Sequence, residues 1–131
     1  MTTQDEAPVT RTWSVLVLDM FNYMDSEGEH TVAGFQRPED AIEYARRRVR
    51  SSVEEMRPTA KDAEEIRSQW FMFGEDCIAI GTEYKGLTEL DYYIANPATP
   101  EEVDWMSLEP DPKMRELLCR IVRNDKEPPC P

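Results

Sequence analysis

The chain has 131 residues, the size of one domain with its own core, and its 27 acidic and 15 basic side chains give a net charge of −12. Apolar residues make up 40% of it, which is too many for a fully disordered chain, and the negative charge disfavours a nucleic-acid binder because phosphate is repelled. No apolar run approaches the ~20 residues that cross a bilayer, and no export signal is visible, so we expect a cytoplasmic protein with no membrane partner.

Three regions are predicted along the chain. Residues 1–10 are polar and are expected to be a flexible N-terminus, residues 11–123 a single domain, and residues 124–131, rich in proline, a flexible tail. Within the domain, residues 13–21 form an apolar run that is typical of a strand covered on both faces. A turn-like cluster follows, and then a second strand over residues 31–36, so the two strands predict a β-hairpin.

Two helices come next. Pro38 suits a first helical position, and apolar residues recur from there at three- and four-residue steps, which predicts an amphipathic helix that ends near Arg57. Thr59 is predicted to cap a second helix, with Asp62 in the position of a capping-box partner. Gly74 is the expected stop of that helix.

The remainder of the chain is less regular. A third strand is predicted over residues 76–81, residues 87–94 are interpreted as irregular or strand with a helix as the alternative, and residues 99–102 signal a short helix. A last helix is predicted from Pro112, with one apolar stripe of Met114, Leu117, Leu118, Ile121 and Val122. This order favours an α+β domain of two layers: an N-terminal β-hairpin, a helix pair, one or two further strands and a C-terminal helix.

The cysteines point to a reducing compartment. Cys77, Cys119 and Cys130 are odd in number and show no C-x-x-C spacing, and His30 is the only histidine. A disulfide framework and an ordinary zinc site are therefore not expected. His30 flanks the predicted hairpin turn, so we interpret it as a solvated loop residue.

An arginine cluster at residues 46–50 is the most conspicuous run. It could face nucleic acid, but Glu43 precedes Arg46 and Arg47 at helical spacing, and Glu54 pairs in the same way with Arg50 and Arg57. We interpret the cluster as a mixed ladder of charges on a solvated helix face.

Four carboxylates fall at predicted strand ends: Asp19, Asp25, Glu75 and Asp76. If these ends lie side by side, the carboxylates could hold Mg²⁺, Mn²⁺ or Ca²⁺, or one of them could become a general acid through a raised pKa. The alternative is that they cap turns and helix starts.

The stretches around these carboxylates, residues 15–35 and 70–76, resemble a family of small uncharacterised bacterial proteins. Its pattern is a strand running into Asp-x-Phe-His-Tyr-Met-Asp, followed after two helices by Phe-Gly-Glu-Asp. This chain has Asn22 where the pattern has histidine, which argues against a catalytic or metal role at that position. The family carries no known activity, so the resemblance implies a common fold and leaves function open.

Acidic residues are concentrated between residues 75 and 111, where ten acids accompany one base, Lys85. Aromatic residues set among carboxylates suit a surface that docks a basic protein, whereas plain solubility is the alternative. The residues predicted to bind such a partner are Glu83, Tyr84, Glu89, Asp91, Tyr92, Tyr93 and Trp105.

The sequence therefore favours a non-enzymatic protein-binding or regulatory module. No phosphate-binding glycine loop, nucleophile elbow or paired-histidine metal motif occurs in it. The alternative is a divalent-metal-binding or carboxylate-using enzyme centred on Asp19, Asp25, Glu75 and Asp76. The sequence leaves the oligomeric state open.

Overall fold

The computed structural model describes residues 12–22 and 28–110, and it confirms the α+β class. Three antiparallel strands form one sheet in the order β2-β1-β3, with β1 at Trp13–Asp19, β2 at Glu29–Phe35 and β3 at Glu75–Ile80. The predicted hairpin is present as the β1–β2 pair, although its turn lies outside the described residues. Strand β1 is shorter than predicted, because Met20–Asn22 forms a 3₁₀ turn.

The faces of the sheet differ in burial. Val15 and Val17 in β1 and their register partners Ala79 and Cys77 in β3 are fully or almost fully buried. Residues that alternate with them, such as Leu16 and its partner Ile78, are only half-buried. We call the first set the inner face and the alternating set the outer face, since successive side chains of a strand point to opposite sides.

The long helix α1, Pro38–Met56, packs on the inner face. It begins where predicted, with Pro38 in the first turn and acidic residues Glu39 and Asp40 beside it. Ala45, Val49 and Val53 are fully buried, so the predicted apolar stripe is the side of the helix that contacts the sheet.

Helix α2, Ala63–Phe73, begins later than predicted. Its N-cap is Asp62, whose carboxylate accepts from the backbone N–H of Glu65 at 2.9 Å. The assignment of Thr59 as the cap is wrong, because Pro58 lies in a separate 3₁₀ turn in which the Thr59 hydroxyl donates to the Met56 carbonyl at 3.2 Å. The helix stops at Gly74, as expected.

Helix α3, Gly86–Ala95, replaces the irregular or strand segment that was preferred for residues 87–94. Leu90, Tyr93 and Ile94 are buried at helical spacing, so packing overrides the β preference of the Tyr-Tyr-Ile run. The choice of a non-helical state here was wrong.

After α3, the chain returns across α1 through two 3₁₀ turns, Glu101–Val103 and Met106–Leu108. At the start signalled by residues 99–102, Thr99 and Glu102 form a reciprocal cap, each side chain accepting from the backbone N–H of the other at 3.3 and 2.9 Å. The predicted last helix and the two predicted flexible ends lie outside the described residues. Over the part of the chain that is described, no helix has the length and apolarity to cross a membrane.

Candidate functional site

The arginines of α1 point inward more than the sequence suggested. Arg48 donates to Glu75 at 2.9 and 3.3 Å and to the Tyr44 hydroxyl at 2.7 Å, and its guanidinium lies 4.1 Å from the centre of the Trp105 ring. Only 12% of its side chain is exposed. The interpretation of the cluster as a solvated face is therefore wrong for Arg48, which joins α1 to β3 and to the C-terminal 3₁₀ turns.

Arg50 and Arg57 hold the end of α3. Arg50 donates to the carbonyl of Asn96 at 2.6 Å, and Arg57 donates to the carbonyls of Tyr93 and Ile94, both at 3.1 Å. The last carbonyls of a helix have no partner within it, and these guanidinium groups supply one. Of the predicted same-helix pairs, Glu54–Arg57 is present, whereas Arg50 lies nearest to Glu102, at 3.9 Å.

A third contact from α1 reaches a buried tyrosine pair. Arg46 donates to Glu89 at 3.3 Å and also pairs with Glu43, while Glu89 accepts from the hydroxyl of Tyr93. The hydroxyls of Tyr84 and Tyr93 are 3.0 Å apart. Burial is the main cause of the raised pKa of both tyrosines. These groups form a structural network between α1 and α3.

The predicted acidic and aromatic docking surface is therefore only partly a surface. Tyr84 and Tyr93 are buried, which contradicts their assignment as exposed anchors, and Trp105 is half-buried beneath Arg48. Tyr92 is 60% exposed. Of the predicted acids, Glu89 is paired with Arg46, Asp91 is exposed but paired with Arg67, and Glu83 is exposed.

The three described carboxylates lie at strand ends, as predicted, but each side chain has a different partner. Asp19 and Glu75 are register partners in neighbouring strands. Asp19 accepts from the backbone N–H of Phe21 and from the Asn22 amide, both at 3.0 Å, whereas Glu75 binds Arg48. Asp25 lies outside the described residues.

Asp76 has a different role, because it is buried and faces the start of α3. It accepts from the backbone N–H groups of Cys77, Gly86 and Leu87, and so satisfies donors that the first turn of α3 leaves free. Burial raises the pKa of Asp76, and these N–H groups only partly offset that effect. A Cβ on Gly86 would lie 2.6 Å from the Asp76 carboxylate and 2.6 Å from Val49, so this close approach requires glycine.

No three His, Cys or carboxylate side chains of the described residues converge in a group that could hold a metal ion. His30 is exposed, as expected, but it lies in β2 rather than in a loop, opposite Val17. The structure thus gives each described carboxylate of the predicted metal site a partner within the protein.

An exposed apolar group, which sequence reasoning missed, lies where β1 ends and α2 stops. Phe21 is 67% and Phe73 54% exposed, and their rings stack with centroids 5.7 Å apart. Phe71 and Met72, in the same last turn of α2, are also exposed. Consecutive residues of a helix project in different directions, so we call only the stacked pair, Phe21 and Phe73, the apolar cluster. Large apolar side chains that are exposed together mark interaction sites.

Acidic groups lie beside the apolar cluster. Asp19 immediately precedes the turn that carries Phe21, and Glu29, which is exposed, is the register partner of Leu18 at the same end of the sheet. The Met20 N–H donates to the Gly74 carbonyl at 2.9 Å and fixes this turn against the end of α2. Four apolar residues in a row, Trp70 to Phe73, were the available signal, since only Trp70 is needed by the core.

Comparisons of the chain with models of protein families, with curated proteins and with solved structures find no match.

Proposed function

We propose that this protein is a non-enzymatic protein-binding module that docks a basic partner through the apolar cluster. The observation that carries the proposal is the exposure of the stacked Phe21 and Phe73 rings where β1 ends and α2 stops. Aromatic side chains of this kind serve as anchors in protein interfaces, because they bury a large area at a small entropic cost.

The negative charge of this chain indicates that its partner is positively charged. Its net charge is −12, and Asp19 and Glu29 lie near the apolar cluster. Complementary charge steers association and excludes partners of the wrong sign. An apolar groove rimmed by lysine or arginine on the partner is therefore the expected counterpart. We predict that the protein meets this partner in the cytoplasm.

The test is affinity capture from the native cytosol with three versions of the chain. The first is wild type, the second is Phe21→Ser with Phe73→Ser, and the third is the control Tyr92→Ser with Met106→Ser, which removes exposed apolar side chains outside the apolar cluster. We expect wild type and control to retain the same basic protein, and the second version to lose it. Retention should fall steeply between 50 and 500 mM salt (roughly one decade of ionic strength). Equal retention by all three versions would refute the apolar cluster as the site.

The alternative function, a divalent-metal site at Asp19, Asp25, Glu75 and Asp76, stays a prediction. One observation favours it: Asp19 and Glu75 are register partners, so their backbones are adjacent. Its test is the melting temperature in millimolar Mg²⁺, Mn²⁺ or Ca²⁺. A rise that Asp19→Asn removes would support the metal site, because a ligand that binds only the folded state stabilises it. The absence of any rise would end it.

A further inference from the structure

The outer face of the sheet is apolar at its centre. Leu16, Leu18 and Ile78 are half-buried and Ile80 is 45% exposed, whereas their inner-face neighbours are fully buried beneath the helices. These four residues belong to two adjacent strands in register, Leu16 opposite Ile78, so they form one continuous strip. A sheet that is apolar on both faces normally has a covering layer on each.

We propose that residues 113–123 of the same chain cover this outer face as an amphipathic helix. The apolar stripe predicted from the sequence consists of Met114, Leu117, Leu118, Ile121 and Val122. A helix of this length is about 16 Å long, which exceeds the roughly 10 Å across three strands. The apolar stripe of residues 113–123 therefore matches the apolar strip on the outer face of the sheet in chemistry and in size.

The chain leaves the described part beside this face. A Cβ on Gly34, in the edge strand β2, would lie 3.3 Å from the Cβ of Pro110, so Pro110 lies against that edge. Gly34 has a φ of 104° at an irregularity of the β1–β2 register, where a bulge lets the following chain pass closely. From the edge of the sheet, residue 111 has only to cross β2 to reach the strip.

Charge complementarity selects this occupant over a second copy. Between residues 113 and 123 there are four basic side chains and one acid, whereas the chain as a whole carries −12. The segment is therefore attracted to the remainder of its own chain, which is more negative still. Two copies that met face to face would instead bring exposed carboxylates such as Glu29 together.

Disulfide trapping in the full chain tests the proposal. Cys77→Ala with Cys130→Ser leaves Cys119, which lies inside the segment, as the only thiol. Single cysteines are then added on the outer face, Ile80→Cys or Thr31→Cys, with Ser68→Cys on the exposed side of α2 as the control. We expect mild oxidation to give an intramolecular link to at least one outer-face position, at least tenfold above the control. A link mainly between two chains, or no excess over the control, would overturn the proposal.

A second measurement does not depend on the register of the helix. In the Ile80→Cys chain that also carries Cys119→Ser, Leu117→Asp with Leu118→Asp should expose the thiol at position 80 and raise its labelling rate at least tenfold. Far-UV circular dichroism establishes that the variant is still folded. An unchanged labelling rate in a folded variant would mean that the segment does not cover the strip.

Discussion

Asp76 is a buried carboxylate whose charge is balanced by backbone N–H groups rather than by a cation. It joins the start of β3 to the start of α3 through Gly86 and Leu87. Because burial raises its pKa, the folded protein binds a proton at Asp76 more readily than the unfolded chain does. By linkage, this group lowers the free energy of unfolding as the pH rises above the ordinary aspartate pKa of about 3.9.

The variant Asp76→Asn isolates that contribution. Asparagine stays neutral, while its side-chain carbonyl can still accept from an N–H of α3. We expect the free energy of unfolding of the variant, measured relative to wild type, to increase from pH 3 to pH 7, because only wild type loses this stabilisation. Urea unfolding at several pH values, followed by circular dichroism, measures this difference. A difference that moves the opposite way would mean that the N–H groups lower the pKa of Asp76 below its usual value.

At the scale of secondary structure, α1 is joined to the chain around it by charged side chains as well as by its apolar stripe. Arg48 is the central example, since one guanidinium contacts β3 through Glu75, α1 itself through Tyr44, and the later 3₁₀ turns through Trp105. Burial would lower the pKa of Arg48, but Glu75 and Tyr44 more than offset this and raise it, so the charge is retained.

Arg48→Ala is therefore expected to destabilise the fold by about 2–3 kcal/mol, because it leaves the half-buried Glu75 without its cation. The matched control is Arg37→Ala, which breaks a bidentate contact to Asp40 on the surface at 3.1 and 3.3 Å and should leave the unfolding midpoint nearly unchanged. Urea unfolding of both variants at pH 7 provides the comparison. Equal effects of the two substitutions would show that Arg48 acts as an ordinary surface charge.

The same contacts explain which elements were predictable. Helix α1 carries its own signals, since Pro38 and its apolar periodicity lie within its sequence. In helix α3, the free backbone N–H groups at the start bind Asp76, and the carbonyls at the end bind Arg50 and Arg57. These partners lie outside the helix, so its own sequence pattern does not reveal it.

Site residues follow the same rule. The sequence marked Asp19 and Glu75 as strand-end residues, but their adjacency was only a condition of the prediction, because strand order and register depend on pairing between distant segments. The partners of the side chains were not predictable, because they come from distant segments. Glu75 pairs with Arg48 of α1, and Phe73 stacks on Phe21 of the turn after β1.

On the scale of the whole molecule, the surplus of negative charge is less concentrated than the acidic stretch suggested. Salt bridges from α1 neutralise Glu75 and Glu89 within that stretch. Exposed carboxylates are also found on β2, α1 and α2, outside that stretch: Glu29, Glu39, Glu55 and Glu64. The long-range repulsion is thus spread around the fold and opposes the compact state as a whole.

This distribution predicts that salt stabilises the protein at neutral pH. Between 10 and 100 mM NaCl the Debye length falls from about 30 Å to about 10 Å, which screens repulsion across the molecule. The Arg48–Glu75 pair, in contact at 2.9 Å, is screened much less. We therefore expect the urea midpoint at pH 7 to rise with salt, and the rise to vanish near pH 4.5, the isoelectric point, where the net charge is zero. A midpoint that falls with salt at pH 7 would mean that attractive ion pairs outweigh the net repulsion, because screening would then remove more stabilisation than it adds.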